Sequence, residues 1–472
     1  MRQPNERLAN LIAEAGYSEA GLARRINQLA ALREGLHLRY DYSAVYRWVR
    51  KGQCPGSPVP ALIAEALSER LGRRVRPSDF GMADELSVAA RSLTYFRDVD
   101  STVDAVADLG RTELTGRGWR RRSVVAAPFL LAAGAGPIRD WLLASLAEVS
   151  TEEGPRRVGM RQVDAIRDMF RVMQEMDVMR GGGHARTALV EYLTDYVLPL
   201  ARRGHDREAI RSAVYEAAAE QTYLVGWMAY DDGQHGLAQR YLIQALRLAE
   251  ASANRVLGAH VLAGLSDQAN LLGHPHEALS LARAGQRGIA ADDSPACLAD
   301  LQILEARALA ALARDGADRQ LAARAVARAE RTFDRVVPDN EPEWARFIDS
   351  AYFFGEAAHC FRDLGDATQV EWFGGRSAAE AARQRRARRG ALSEAALAAG
   401  DLMRGEPERA ATRGLRVISL AGSVASTRCR EAVQDLAGRL RPYAREPAVR
   451  QFHARLSHGY HQGASARFAD TR

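Results

Sequence analysis

Lysine is almost missing from this chain. Lys51 is the only one in 472 residues, and the other 64 basic side chains are arginines, a bias that reads as the codon usage of a GC-rich genome. A phosphate-cradling P-loop needs a Lys directly after its glycines, and no GxxxxGK[ST] string occurs. Schiff-base chemistry would depend on Lys51 alone. Both function classes are excluded. Cysteine is sparse as well. Cys54, Cys297, Cys360 and Cys429 lie far apart with no CxxC spacing, which argues against a zinc ribbon or a disulfide framework and fits a reducing cytoplasm. Runs rich in Val, Ile, Thr and aromatics are scarce, while Ala, Arg and Leu dominate, so a mostly helical protein is expected. No N-terminal signal peptide is visible. The one long apolar run, residues 123–138, follows three arginines. It is too short for a span and holds Pro128, Gly134 and Gly136, so it reads as a buried or docking helix and no membrane partner is expected.

Charge is present but uneven. Residues 1–80 carry 13 basic and 8 acidic side chains, an excess of five in a chain whose net charge is +6. A basic end on a near-neutral body suits contact with phosphates.

That basic end has a helical punctuation. Asn5 can cap a helix with Leu8, Leu11, Ile12 and Ala15 on one face, ended by Gly16. Ser18 caps a second helix through Leu22, Ile26 and Leu29, with small Ala23 allowing close packing. A third helix comes from residues 40–53, capped by Asp41 or Ser43, with Val45, Trp48 and Val49 inward and Gly52 as its stop. Tyr42, Ser43, Ala44, Tyr46 and Arg47 then fall on its outer and leading surface, the positions that reach base edges when a recognition helix enters the major groove. Arg50, Lys51 and Gln53 sit where phosphates run, and Arg24 and Arg25 of the second helix are further candidate DNA contacts. Pro60 suits the first turn of a fourth helix striped by Leu62, Ile63, Ala66, Leu67 and Leu71.

The strings SxxxLARRI at 18–26, SAVYRW at 43–48, the Lys51-Gly52 pair and Pro55 resemble the XRE (Cro/repressor-type) helix-turn-helix domain. The resemblance implies binding to double-stranded DNA. One departure is the separation of the second and third helices by residues 30–41, where Arg33, His37, Arg39 and Tyr40 form either an added DNA contact or a rearranged motif. The other reading of residues 1–80 is a four-helix module that docks a protein.

Residues 81–160 read as a helical linker, with a short helix from Asp100 to Arg111. Residues 161–445 carry a repeat. Glycines 204, 233, 273, 316, 365 and 405 are each followed five residues later by a small or apolar side chain: Ala209, Ala238, Ala278, Leu321, Val370 and Ala410. The logic is a turn glycine that ends one helix, then a helix that can approach closely. The strings resemble tetratricopeptide (TPR) repeats, most closely at Trp227, Tyr230, Gly233, Ala238, Leu242 and Ala245. The expected fold class is therefore all-α, a helix-turn-helix domain followed by a TPR-like α-solenoid. Such arrays present a concave face to extended peptides or helices. Tyr223, Trp227, Tyr230, Asn270 and His274 are the candidate residues for a peptide or partner there. A tail, residues 446–472, is polar and expected to be partly mobile.

Two segments carry double readings. Met160, Met169, Met173, Met176 and Met179 are five of nine methionines, either gap-filling core or an adaptable partner-binding or dimerising face. Gly181, Gly182 and Gly183, before His184 and Arg186, form either an inter-helix loop or an anion cradle at a helix N-terminus.

Taken with SEAGLARRIN, SAVYRWVRKGQ, RRRSVVAAPFL and GGGHARTALVEYL, the architecture resembles the actinobacterial helix-turn-helix plus TPR regulators of differentiation and antibiotic production, the NsdA-like group, over residues 5–440. The resemblance implies a cytoplasmic regulator, often negative, acting in differentiation and secondary metabolism. Enzyme signals are weak. His274–His276 reads as a solvated turn, His453, His458 and His461 lie in the polar tail, and the carboxylate pairs Asp231–Asp232 and Asp292–Asp293 read as caps. Short GLS and AGS strings at 264–266 and 421–423 lack a nucleophile elbow's strand. Neither catalytic site, metal nor cofactor is expected. Two functions remain: a DNA-binding regulator, a homodimer whose array takes a peptide or protein signal, and a scaffold working through protein contacts alone. Small-molecule sensing by the solenoid would need a closed apolar pocket.

Overall fold

A computed structural model describes residues 4–34, 38–55, 59–73, 75–82, 88, 90–115, 128–130, 133, 137, 141, 159–183, 185–202 and 207–457. Every regular element among them is helical. The chain divides into two compact units, residues 1–92 with 104–127 and residues 93–103 with 128–472.

In the first unit, helices α1 (Glu6–Glu14), α2 (Glu19–Glu34), α3 (Tyr42–Arg50) and α4 (Val59–Leu71) enclose one core. Leu8, Leu22, Ile26, Val45, Ile63 and Leu67 are fully buried in it, and Phe80 and Met82 close it below. The caps are the expected ones. The Asn5 carboxamide accepts the Leu8 N–H at 3.0 Å, Ser18 accepts the Gly21 N–H at 3.1 Å, and Asp41 accepts the Ser43 and Ala44 N–H groups at 3.0 and 3.2 Å. Asn5 does more than cap. Its Nδ2 donates to the Phe80 carbonyl and its N–H to the Val49 carbonyl, each at 2.7 Å, tying α1 to α3 and to the end of the core. In α5 (Val99–Thr115), Asp104 pairs with Arg76.

The departure between α2 and α3 resolves into structure. Helix α2 runs on to Glu34, and Ala30 is buried in the core. The Asn27 carboxamide then grips the Tyr40 backbone from both sides, at 2.8 and 3.0 Å, and Tyr40 lies edge-on to Trp48 at 5.1 Å. The segment therefore fixes the entry to α3. His37 lies outside the described residues, and Arg39 is exposed.

The second unit begins with α6 (Met160–Arg180). It continues through α7 (Arg186–Tyr192), a π-turn at Leu193–Val197 and α8 (Leu198–Ala201). Five antiparallel pairs follow: α9 (Glu208–Asp231) with α10 (His235–Ala251), α11 (Arg255–Leu271) with α12 (Pro275–Gly288), α13 (Pro295–Leu312) with α14 (Gly316–Phe333), α15 (Ser350–Leu364) with α16 (Ala367–Arg383), and α17 (Ala387–Met403) with α18 (Pro407–Gly422). Helix α19 (Thr427–Leu440) and a helix over residues 447–457 end the described chain. Consecutive pairs stack as a solenoid.

The repeat reading holds at four of its six anchors. Gly233, Gly273, Gly365 and Gly405 have positive φ and reverse the chain within a pair, and Ala238, Ala278, Val370 and Ala410 are fully buried three residues into the second helix. It fails at Gly316, which opens α14 with Asp315 as N-cap, two residues out of phase with the others. Leu321 consequently points outward at 51% exposure, and the neighbouring Ala322 takes the buried place. Ala209 is exposed at the start of α9, and Gly204 lies outside the described residues. The apolar run at 123–138 lies mostly outside them too. At its described part the Gln239 carboxamide pairs with the Leu130 backbone at 2.9 and 2.8 Å.

The methionines of α6 are not core. Met160 and Met179 are exposed and Met169, Met173 and Met176 are half-buried, because α6 turns Val163, Ile166 and Phe170 inward instead.

Asn5→Ala should lower the stability of the first unit by about 1–2 kcal/mol, since it removes a cap and a bond to a half-buried carbonyl. Urea unfolding of the full chain checks this; an unchanged midpoint contradicts the joining role of Asn5.

Candidate functional site

In the first unit, burial of Val45, Trp48 and Val49 fixes which face of α3 meets solvent. Tyr42 is 64% exposed and Tyr46 46% exposed, and Arg47, Arg50, Lys51 and Gln53 stand exposed around them. Ser43 is half-buried, its hydroxyl donating to Asp41 at 2.7 Å. That bond, with the Ala44 N–H, holds the Asp41 carboxyl below its ordinary range. Ala44 does not belong to this surface. It is 2% exposed, because the third residue after the cap turns toward the core. Arg24 is exposed, but Arg25 is committed within the protein, bonded to both Glu69 oxygens at 2.9 and 2.8 Å. The face is aromatic and cationic, with Tyr42, Tyr46, Arg47, Arg50 and Lys51 on nine residues and their stop.

The second unit carries a different feature. Its array curls until its last described helices meet its first. Ser426 donates to Asp231 at 2.8 Å and the Thr427 hydroxyl donates to the Asp232 carbonyl at 2.9 Å. Helix α6 crosses the inner face, packed on α9 and α17. Buried arginines fill the space between. Arg388 bonds both Asp177 oxygens at 3.1 and 2.8 Å and reaches Asp231 at 3.0 Å. Arg307 joins Asp267 at 2.9 Å and Glu356 at 2.6 Å, and Arg389 reaches the other Glu356 oxygen at 2.9 Å. Despite complete burial, the two guanidinium groups hold the Glu356 carboxyl well below its ordinary range. Its place beside a turn suggests a cap, but Asp231 is instead a fully buried anchor of this network.

The glycine run is explained by the same network. The Gly182 N–H donates to Asp231 at 3.0 Å, so the anion at these glycines is the protein's own carboxylate. A Cβ on Gly182 would stand 2.5 Å from the Met228 carbonyl, and Gly183 donates to the Ala425 carbonyl at 3.1 Å, so the segment is a close-packed joint. His184 lies outside the described residues.

What remains open on the inner face is a cleft walled by Trp227, Phe347, Arg386, Arg388, Arg389 and Arg428, with Tyr223 beside them. Of the five residues expected to meet a partner, Tyr223 and Trp227 line it. Tyr230 is buried beneath Arg428, its hydroxyl donating to Asp267 at 3.0 Å. Asn270 and His274 are half-buried elsewhere, at the end of α11, where His274 stacks on Phe129 at 5.7 Å. The open concave surface expected for an extended peptide is thus covered by α6 and side chains. The arginines were not foreseen; the string Arg385, Arg386, Arg388, Arg389 at the start of α17 was the signal available. His260, packed between Tyr223 at 4.4 Å and Trp344 at 4.8 Å, is pushed down to about 3 by burial and stays neutral. Among the described residues no group of three His, Cys, Asp or Glu is placed to hold a metal, and no helix is long and apolar enough to cross a membrane.

With these surfaces defined, comparison with known families adds one observation. Residues 8–83 are similar to the SP15 N-terminal domain. The SP15-like segment coincides with the core that runs from Leu8 to Met82, so it comprises α1–α4 and the aromatic, cationic face of α3. No curated protein matches the chain. The XRE-type and TPR likenesses therefore rest on the residues themselves.

Burial pushes the Glu220 and Asp300 carboxyls up to about 8. The folded state keeps two protons that the unfolded chain releases above its ordinary carboxyl range, near pH 4–5. Their contribution to stability is fully present below about pH 4 and is lost progressively as pH rises from there to about 8. The double variant Glu220→Gln, Asp300→Asn should flatten the fall of the thermal midpoint over that window. An unaltered slope contradicts the assignment.

Proposed function

We propose that the chain is a DNA-binding regulator. Its SP15-like segment reads duplex DNA through α3, and its repeat unit receives a chemical signal that shifts operator affinity. The observation that carries the reading is the outward face of α3, where Tyr42, Tyr46, Arg47, Arg50 and Lys51 are exposed on a helix fixed from behind by Val45, Trp48 and Val49. A nine-residue helix is long enough to lay its leading turn in a major groove, and side chains of these types contact base edges and phosphates. Tyr42, Ser43, Tyr46 and Arg47 take the base-edge positions; Arg50, Lys51, Gln53 and Arg24 take the phosphates. Ala44 and Arg25 drop out, one buried and the other paired with Glu69. Concentration of the excess charge in residues 1–80 supports the assignment.

The finer likeness to actinobacterial regulators of differentiation and antibiotic production extends the proposal to a negative regulator in the cytoplasm, acting as a homodimer on paired half-sites. The half-exposed methionines of α6 are the candidate dimerising or partner-binding face, as flexible apolar surface adapts to a partner. A second reading has an observation of its own. Exposed Tyr beside Arg is also the composition of a protein-docking hot spot, so the same face of α3 suits a scaffold that never touches DNA.

Titration of labelled duplexes separates the two. Arg47→Ala should weaken binding to the specific site by about 1–3 kcal/mol, whereas Lys51→Ala should weaken all duplexes alike and lower the salt slope by about 1. Wild-type protein that binds neither operator nor random DNA supports the scaffold, and equal binding to both contradicts sequence reading by α3.

A further inference from the structure

The arginine cleft has one member whose ion pair is long and not hydrogen-bonded, Arg428 with Asp267. Arg388, Arg307 and Arg389 each meet carboxylate oxygens within 3.0 Å, and Arg386 reaches Asp349 at 2.6 Å. Arg428 makes no hydrogen bond among the described residues. Its nearest carboxylate oxygen, on Asp267, is 3.8 Å away, and its side chain is only 9% exposed. Its guanidinium lies over the Tyr230 ring at 4.7 Å and the Trp227 ring at 5.7 Å. Stacking orients the plane but makes no use of the N–H donors at its rim, and Arg428 is one of the residues that line the cleft. A guanidinium cannot shed its proton to escape burial, so a buried one with idle donors is a site short of an acceptor.

The cleft limits what the acceptor can be. Its free interior is about 30 Å³. That is room for on the order of two water-sized groups, so the enclosed part takes a carboxylate and the rest of a ligand lies toward the cleft's open side. The wall presents four arginines and one carboxylate, and that carboxylate, Asp177, is already held by Arg388. A planar fork matches the two oxygens of a carboxylate. Trp227 and Phe347 add flat apolar surface beside it.

We propose that this cleft binds the carboxylate of a small aromatic acid, with Arg428 as its fork and Trp227 and Phe347 as the surface on which the ring lies. This rests on reading the repeat unit as the receiver of a signal, and it names the chemical class of that signal. Side chains drawn to the ligand come from α9, α19 and the segment just before α15, so occupancy tightens the closure of the array.

The test uses the full chain, isothermal calorimetry and tryptophan fluorescence, with benzoate, acetate and inorganic phosphate as probes. Benzoate should bind with a Kd at or below about 1 mM, acetate at least tenfold more weakly, and phosphate no better than acetate. Arg428→Gln should weaken benzoate at least tenfold. Arg428→Lys, which keeps the charge and so guards against a folding defect, should still weaken it several-fold because it lacks the fork. Absence of benzoate binding, or binding unchanged in both variants, overturns the proposal. Phosphate binding as tightly as benzoate overturns the carboxylate assignment. No DNA is present in these measurements, so their failure leaves the Arg47 result standing, and failure of DNA binding leaves a ligand site standing.

Discussion

The second unit depends on Arg388. One guanidinium bridges Asp177 on α6 and Asp231 at the end of α9, and it does so from the start of α17, more than 150 residues along the chain. Both carboxylates are buried and the guanidinium is only 12% exposed, so little of their hydration is recovered. An exposed pair of this kind contributes about 0–1 kcal/mol, whereas breaking a buried one leaves an unpaired charge that costs about 3–5 kcal/mol. The bridge therefore specifies an arrangement more than it adds stability. It places α6 across the inner face, draws the first and last pairs together, and leaves Gly181 and Gly182 no room for a side chain. Arg307 repeats the device one pair further in, between Asp267 and Glu356.

Local signals in the sequence were reliable where one residue decides one local event. Asn5, Ser18 and Asp41 cap the helices they were expected to cap, and four repeat glycines reverse the chain where spacing placed them. Patterning of α3 separated its buried face from its exposed face for all but Ala44. What was illegible is what depends on distant segments meeting. Asp231 looks like a turn residue until Arg388 and Ser426 arrive beside it. The methionines of α6 look like core until the partners of that helix are known. Gly316 satisfied a spacing rule yet opens a helix, because Asp315 supplies a stronger cap than the glycine supplies a turn.

The two units suggest a division of labour. The first is a small helical domain with a cationic, aromatic helix face and its excess charge outward. The second turns a set of arginines inward onto carboxylates, and one of them, Arg428, lines a narrow cleft with only a long ion pair to Asp267. Its covered inner face shifts weight from an extended peptide toward a compact ligand, while its outer helices and the methionine face of α6 remain available to a protein partner.

The central claim is that residues of α3 read DNA. The most direct test is genome-wide capture of DNA bound to the tagged protein in its native host, beside a Tyr46→Ala, Arg47→Ala double variant expressed at the same level. The account predicts discrete sites that share a sequence and vanish in the variant. Recovery of no sites above background, or of the same sites with the variant, would contradict it.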